Sequence, residues 1–287
     1  MNPSLKRALH WAGRIISLAG IVYVGLRLNA YGAQLDFSPF DLFTWIFLSG
    51  SALVYGGANV LLALAWWNLL AHFGATVDRI QAVKIYGLTQ PAKYVPGNIM
   101  HLAGRQAMGM SGGIAGWSLA KSSVWELGLI LMAGVFFSLL VLPQILPMVT
   151  APIAFSAFAA AALLMTAGLR RKISPAVARA FGFYVAFLMV SGMVFAGLLA
   201  VLPGLIPLSP FPYLTFCGAF IVAWVAGLVT PGAPAGLGVR ELVLVTLLGG
   251  LVQEGDLLVA VLLSRAVTVV GDLLFFLVCQ GLVKSRV

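Results

Sequence analysis

The feature that most constrains this chain is apolar sequence that recurs along its whole length in runs of about 20 residues. The runs fall at 9–27, 42–72, 117–142, 146–169, 180–202, 212–230, 237–252 and 257–283. At 1.5 Å of rise per residue, a helix of ~20 residues covers the ~30 Å of a bilayer's hydrocarbon core. Only 9% of the 287 residues are charged, against about 25% in a soluble domain, and mean hydropathy is +1.04. The expected fold is therefore all-α: a polytopic transmembrane helical bundle of about eight spans, forming one domain over 1–287. Lys6 and Arg7 precede the first run as they would in a secretory signal. Arg14 interrupts that run and no small-residue cleavage site follows, so it reads as a retained helix.

Charge sets the orientation. Basic residues cluster at Lys6, Arg7 and Arg14, at Arg79 and Lys84, at Arg170 to Lys172 with Arg179, and at Lys284 and Arg286. Eight spans with both termini in the cytoplasm put every one of these clusters on one side. The opposite loops hold Asp36, Asp41, Glu254 and Asp256, with Arg27 as the main cation. The net charge of +9 then follows from the membrane's orientation rule, and nucleic acid is not an expected partner. Cys217 and Cys279 both lie in apolar runs and are expected as buried free thiols.

Two stretches break the apolar pattern. Segment 73–116 is too polar to span, yet richer in Ile, Val, Leu and Tyr than a solvated loop. It reads as two short amphipathic helices meeting at Pro96-Gly97, either lying on the surface or entering the membrane as a re-entrant hairpin. The second break lies near 231–241, so the run at 237–252 reads as a short segment and a candidate half of a broken helix. Aligned from their Pro-Gly pairs, "PGNIMHLAGR" (Pro96 to Arg105) and "PGAPAGLGVR" (Pro231 to Arg240) agree at Pro, Gly, Leu and Arg. A helix that restarts after such a break exposes unpaired N–H groups and the positive end of its dipole. With an Arg fork beside it, that end suits a phosphate. The alternative is two ordinary helix breaks, each with an Arg snorkelling to the interface. The candidate breaks are Pro96, Gly97, Pro231, Gly232, Gly236 and Gly238; the candidate head-group ligands are Lys93, Asn98, Arg105, Arg240 and Glu241.

"KYVPGN" followed by "GR", together with "PAGLGVRE", resembles the lysylphosphatidylglycerol synthase transmembrane family, also described as flippase-like membrane proteins. The resemblance covers nearly the whole chain. Ala235 stands where the family's second motif usually has its first Gly. The resemblance implies a translocator of aminoacylated phospholipid or lipid-linked sugar in the bacterial cytoplasmic (inner) membrane, serving cell-envelope biogenesis. The soluble aminoacyl-transferase domain of some members has no counterpart in these residues, so lipid aminoacylation is not expected here.

Ionisable residues inside spans are candidates for function. Glu126 stands alone between Lys121 and Arg170. Arg265 and Asp272 are seven residues apart on one face of the last run, about 10 Å along the axis, so each needs a partner elsewhere. Such charges serve either as interhelical ion pairs or as the lining of a hydrophilic cavity, with Glu126 a candidate for coupling to protons. Trp66, Trp67 and Tyr94 suit an interfacial aromatic belt, and Asn59, Asn68 and Gln90 suit interhelical hydrogen bonds. His10, His72 and His101 lack metal-ligand spacing. With no nucleotide, zinc or hydrolase motif present, no enzyme activity, cofactor or metal is expected. The reading is a flippase for a phosphate-bearing amphiphile, such as a polyprenyl-phosphate-linked sugar or a glycerophospholipid. Its expected partners are those lipids, envelope glycosyltransferases and a second copy of the chain. The alternatives are a membrane-embedded glycosyl- or phosphotransferase and a non-catalytic subunit of an envelope-synthesis complex.

Overall fold

The computed structural model describes Trp11 and residues 40–95, 99–202, 210–230 and 238–284. Among the described residues the chain is all-helical, without strands. Helix α1 (Leu42–His72) leads through a short turn to α2 (Arg79–Thr89), which continues as a 3-10 turn over Gln90–Tyr94. Helix α3 is Met100–Ser111 and α4 is Gly116–Phe136, extended by a 3-10 turn (Phe137–Val141) into the four-residue α5 (Leu142–Ile145). Then come α6 (Ala151–Lys172), α7 (Pro175–Val201), α8 (Pro210–Val229), α9 (Val239–Leu248) and α10 (Glu254–Lys284).

Local sequence marks several helix starts. Asp41 caps α1: its Oδ1 accepts the Thr44 N–H at 2.8 Å and the Thr44 hydroxyl at 2.7 Å. Those bonds, the hydroxyl's first, hold the Asp41 carboxyl below the usual carboxylate range. Asp78 Oδ2 and Ser174 Oγ cap α2 and α7 through the N–H groups of Ile80 and Val177. Pro175, at the first position of α7, lacks the N–H that would go unpaired there.

Five stretches are long and apolar enough to cross a membrane: Leu42–His72, Gly116–Ile145, Ala151–Lys172, Pro175–Val201 and Glu254–Leu282. They correspond to five of the eight expected runs. The run at 9–27 lies outside the described residues apart from Trp11, and the run at 212–230 is the shorter apolar helix within α8, Tyr213–Val229. The run at 237–252 differs most. It contains a helix of only ten residues, α9, which rises about 15 Å, half the hydrocarbon thickness. Gly249 and Gly250 end it. Segment 73–116 forms two short helices, α2 and α3, on either side of residues 96–98.

Helix α7 is the hub. It packs against α1, α4, α6, α8 and α10, and buries Phe181, Tyr184, Phe195 and Leu199 completely or nearly so. Helix α6 is peripheral; its Leu163 and Leu164 are 70% and 73% exposed, an outward face suited to hydrocarbon. Cys217 and Cys279 are buried and free, as expected.

Helices α1 and α10 cross closely. A Cβ placed on Gly56 would stand 2.8 Å from the Gly271 carbonyl oxygen, and one on Gly271 would stand 2.8 Å from the Ala52 oxygen. Only glycine permits such backbone contact, the means by which membrane helices gain packing without a hydrophobic drive. The crossing sets Asn59, one turn beyond Gly56, against Asp272, the residue after Gly271. Gly56→Val or Gly271→Val should therefore cost at least about 1–3 kcal/mol. In a thermal-unfolding assay in detergent, both variants are expected to lower Tm. Gly57→Ala, on the exposed side of the same turn with nothing within 4 Å, should leave Tm unchanged or raise it.

Candidate functional site

Asp272, fully buried on α10, gathers the first cluster. Lys93 Nζ reaches its Oδ2 at 2.6 Å, the Tyr94 hydroxyl donates to the same oxygen, and Asn59 Nδ2 donates to Oδ1 at 3.1 Å. Gln90 Nε2 in turn donates to Asn59 Oδ1 at 2.9 Å. The 3-10 turn after α2 delivers Gln90, Lys93 and Tyr94 together, because three residues per turn bring 90 and 93 to one side. Lys93 Nζ also lies 5.8 Å and 5.4 Å from the centroids of the Tyr55 and Tyr94 rings. A buried carboxylate survives only with partners of this kind.

The second cluster joins α3 to α4. Arg105, 1% exposed, places Nη1 2.6 Å from Glu126 Oε2, and the Tyr86 hydroxyl donates to Oε1 at 2.8 Å. The guanidinium stands 4.2 Å from the Tyr86 ring centroid and 5.8 Å from that of Trp66. Trp66 is itself fully buried and donates its Nε1–H to Ser122 Oγ at 3.0 Å. The belt expectation is thus corrected for Trp66 and Tyr94. Each turns inward because its polar end finds a buried acceptor, Ser122 for one and Asp272 for the other. Trp67 donates to the Val77 carbonyl at 2.8 Å beneath Arg79, where α1 gives way to the turn. Asn59, Gln90 and Asn68, the last accepting from Arg179 at 2.9 Å, make the expected interhelical bonds.

The third cluster joins α9 to α10. Arg265 Nη2 contacts Glu241 Oε1 at 2.5 Å, while Glu241 Oε2 accepts the Gly238 N–H at 2.8 Å. Gly238 has φ +81°, a left-handed conformation that a side chain would strain. That glycine lets the chain turn so that Glu241 folds back over the start of its own helix. Arg240, next to Glu241, behaves differently. Among the described residues its guanidinium makes no ion pair, and its buried Nε has no hydrogen-bond partner. Arg265 Nε and His101 Nδ1 are likewise buried and unpartnered.

The three clusters surround one cavity of about 170 Å³. Its aromatic wall is Tyr55, Tyr86, Tyr94, Phe187, Phe220 and Trp224; Gln90, Ser191, Ser264 and Thr268 supply neutral polar groups, with His101 beside them. Its charged lining is Lys93, Glu126, Arg240 and Arg265. Lys93 is matched by Asp272, Arg265 by Glu241 and Glu126 by Arg105, so the lining and its partners carry one unmatched positive charge, that of Arg240.

Of the candidates drawn from sequence, Lys93, Glu126, Arg240 and Arg265 line the cavity, with Asp272 and Glu241 bonded to that lining. Arg105 is not on the wall: it stands behind Glu126, which takes up its charge. Asn98, Pro96, Gly97, Pro231, Gly232 and Gly236 lie outside the described residues. Tyr55, Tyr86, Trp224 and Ser122 were not singled out from sequence, since an aromatic or a Ser in an apolar run carries no mark of its partner. Comparisons with family models, with curated proteins and with solved structures found no match.

Removing one member of a buried pair leaves a desolvated charge, a cost of about 3–5 kcal/mol, whereas replacing both with apolar groups costs far less. Glu126→Leu and Arg105→Met should each lower Tm sharply in detergent, and the double variant should lower it by less than the sum of the two. Additive losses would mean that the two groups do not interact.

Proposed function

We propose that this chain is a lipid transporter, a flippase that moves a phosphate-bearing amphiphile between membrane leaflets. One observation carries the reading: a cavity among apolar helices is lined by an arginine, Arg240, that has no carboxylate of its own among the described residues. Arg240 is half-buried, with its Nε buried and unpartnered; a guanidinium so placed without a counter-charge is unfavourable, and a planar fork of donors suits a phosphate. The cavity's aromatic and aliphatic walls suit the apolar part of a lipid near its head group. The resemblance of the two Pro-Gly motifs to flippase-like membrane proteins points to the same class. In this reading Arg240 binds the phosphate, Arg265 and Lys93 extend the positive rim, and Arg105 positions Glu126 in the wall.

The topology that accompanies this function has eight spans with both termini in the cytoplasm of a bacterial inner membrane. Helices α2 and α3 form a re-entrant hairpin, and α9 follows the second helix break near 231–241. The chain carries no nucleotide-binding motif, so transport follows the lipid's own gradient or that of an ion.

The test is a scramblase-type assay in proteoliposomes, following loss of leaflet asymmetry of fluorescent short-chain phospholipids and lipid-linked sugars. The wild-type chain is expected to translocate at least one of them. Arg240→Gln should lower the initial rate by at least tenfold at unchanged Tm, and Arg240→Lys, which keeps the charge but loses the fork, should fall between. Transport by Arg240→Gln at the wild-type rate would remove Arg240 from the pathway. Covalent conversion of the lipid would replace the reading with a transferase.

A further inference from the structure

Resting on that transport reading, the geometry points to the valence of the head group: we infer that the cavity selects a phosphodiester of one net negative charge, carrying a neutral polyol or sugar. The first argument is charge. Lys93, Arg265 and Glu126 each face the cavity already matched by a carboxylate or guanidinium at 2.5–2.6 Å, and among the described residues of the lining Arg240 alone is unmatched. One negative charge neutralises the site. A second must draw Lys93 from Asp272 or Arg265 from Glu241, leaving a carboxylate buried without its cation, which is strongly unfavourable. A head group that adds an amine brings back the unmatched positive charge. Diphosphates, zwitterionic phospholipids and aminoacylated lipids are all disfavoured by this count.

Unpartnered nitrogens on the same lining favour an anion as well. Arg265 is 7% exposed, lines the cavity, and its Nε is buried without a partner although its Nη2 is engaged with Glu241. Arg240 Nε is in the same condition, and His101 Nδ1 adds a third open nitrogen on the same lining. Both arginine nitrogens lie beneath the cavity surface, and rotation of the Arg240 side chain presents its Nε to an oxygen-rich anion without breaking any existing pair. Beside them, Ser264 and Thr268 donate to the backbone carbonyls of Val261 and Arg265. Their oxygens keep lone pairs free to accept from the hydroxyls of a polyol.

Two lipid classes present this chemistry: glycerophospholipids with a neutral polyol, and polyprenyl monophosphate bearing a neutral sugar.

The experiment measures binding rather than transport, on the full-length protein in detergent, by native mass spectrometry with short-chain probes. The probes are a phosphatidylglycerol, a polyprenyl-phosphate hexose, a phosphatidylethanolamine, a lysylated phosphatidylglycerol and a polyprenyl diphosphate. At least one of the two singly charged phosphodiesters is expected to bind tenfold or more tightly than the last three, and the preference between those two identifies the lipid class. Arg240→Gln should abolish that margin and Arg240→Lys should retain part of it. The inference is overturned if the diphosphate, the zwitterion or the lysylated lipid binds as tightly as both phosphodiesters, if neither phosphodiester binds, or if Arg240→Gln leaves the margin intact. Selective, Arg240-dependent binding without translocation in proteoliposomes would uphold this inference while defeating the transporter reading. Translocation of the diphosphate in preference would do the reverse.

Discussion

A charge inside an apolar bundle must have a partner, and this structure is organised around three such partnerships. Each ties a short helical element to a longer helix of spanning length. Lys93, in the 3-10 turn after α2, holds Asp272 on α10; Arg105 on α3 holds Glu126 on α4; Glu241 on α9 holds Arg265 on α10. The short elements, of 5, 12 and 10 residues, lack the length to be fixed by crossing the hydrocarbon. Electrostatic bonds with little competing water supply part of that fixation. The cavity forms where the three meet, because each pair brings polar groups inward from an element that packing alone would leave free to turn. The Gly56–Gly271 contact underlies one of them, since it brings Asn59 within 3.1 Å of Asp272.

Much of this was legible in the sequence, and the limit has a physical form. Glu126, Arg265 and Asp272 stand out because charge is rare in apolar runs, and the seven-residue spacing on α10 requires separate partners for Arg265 and Asp272, as found. Lys93 and Arg105 stand out in the polar stretch before and after Pro96. What periodicity does not carry is the partner. Arg105 looks like a second copy of Arg240 because both follow a Pro-Gly pair at the same spacing, yet Arg105 meets Glu126 and Arg240 meets no carboxylate. The difference lies in which helix packs alongside, and local spacing does not encode it. Trp66 and Tyr94 show the same limit: hydropathy places an aromatic near an interface, but Ser122 and Asp272 draw these two inward. The length of α9 is a related case, for the apolar character of 237–252 continues past Gly249-Gly250 although the helix does not.

The functional account turns on the one cation left over. Two of the paired clusters would serve a structural bundle as well as a transporter, and both contribute to stability in either case. Arg240 has no such role among the described residues: it lies half-buried on a cavity wall with its Nε buried and unpartnered, and Arg265 on the same wall has a second such nitrogen. Stability alone does not favour an arginine in that state, whereas an anionic ligand relieves it. Under the proposed function, a phosphate at Arg240 would lie next to the Glu241–Arg265 pair, the ionic contact between α9 and α10, and would couple head-group binding to the position of α9 through Arg265.

The most direct test is an electron cryomicroscopy structure of the chain in nanodiscs of bacterial lipid, read at the Arg240 guanidinium. The account predicts phosphate density within about 3 Å of that group, with an acyl or prenyl chain leaving between helices. Arg240 paired to a carboxylate of its own chain, or a cavity holding only water while lipid fills the outer surface, would contradict it.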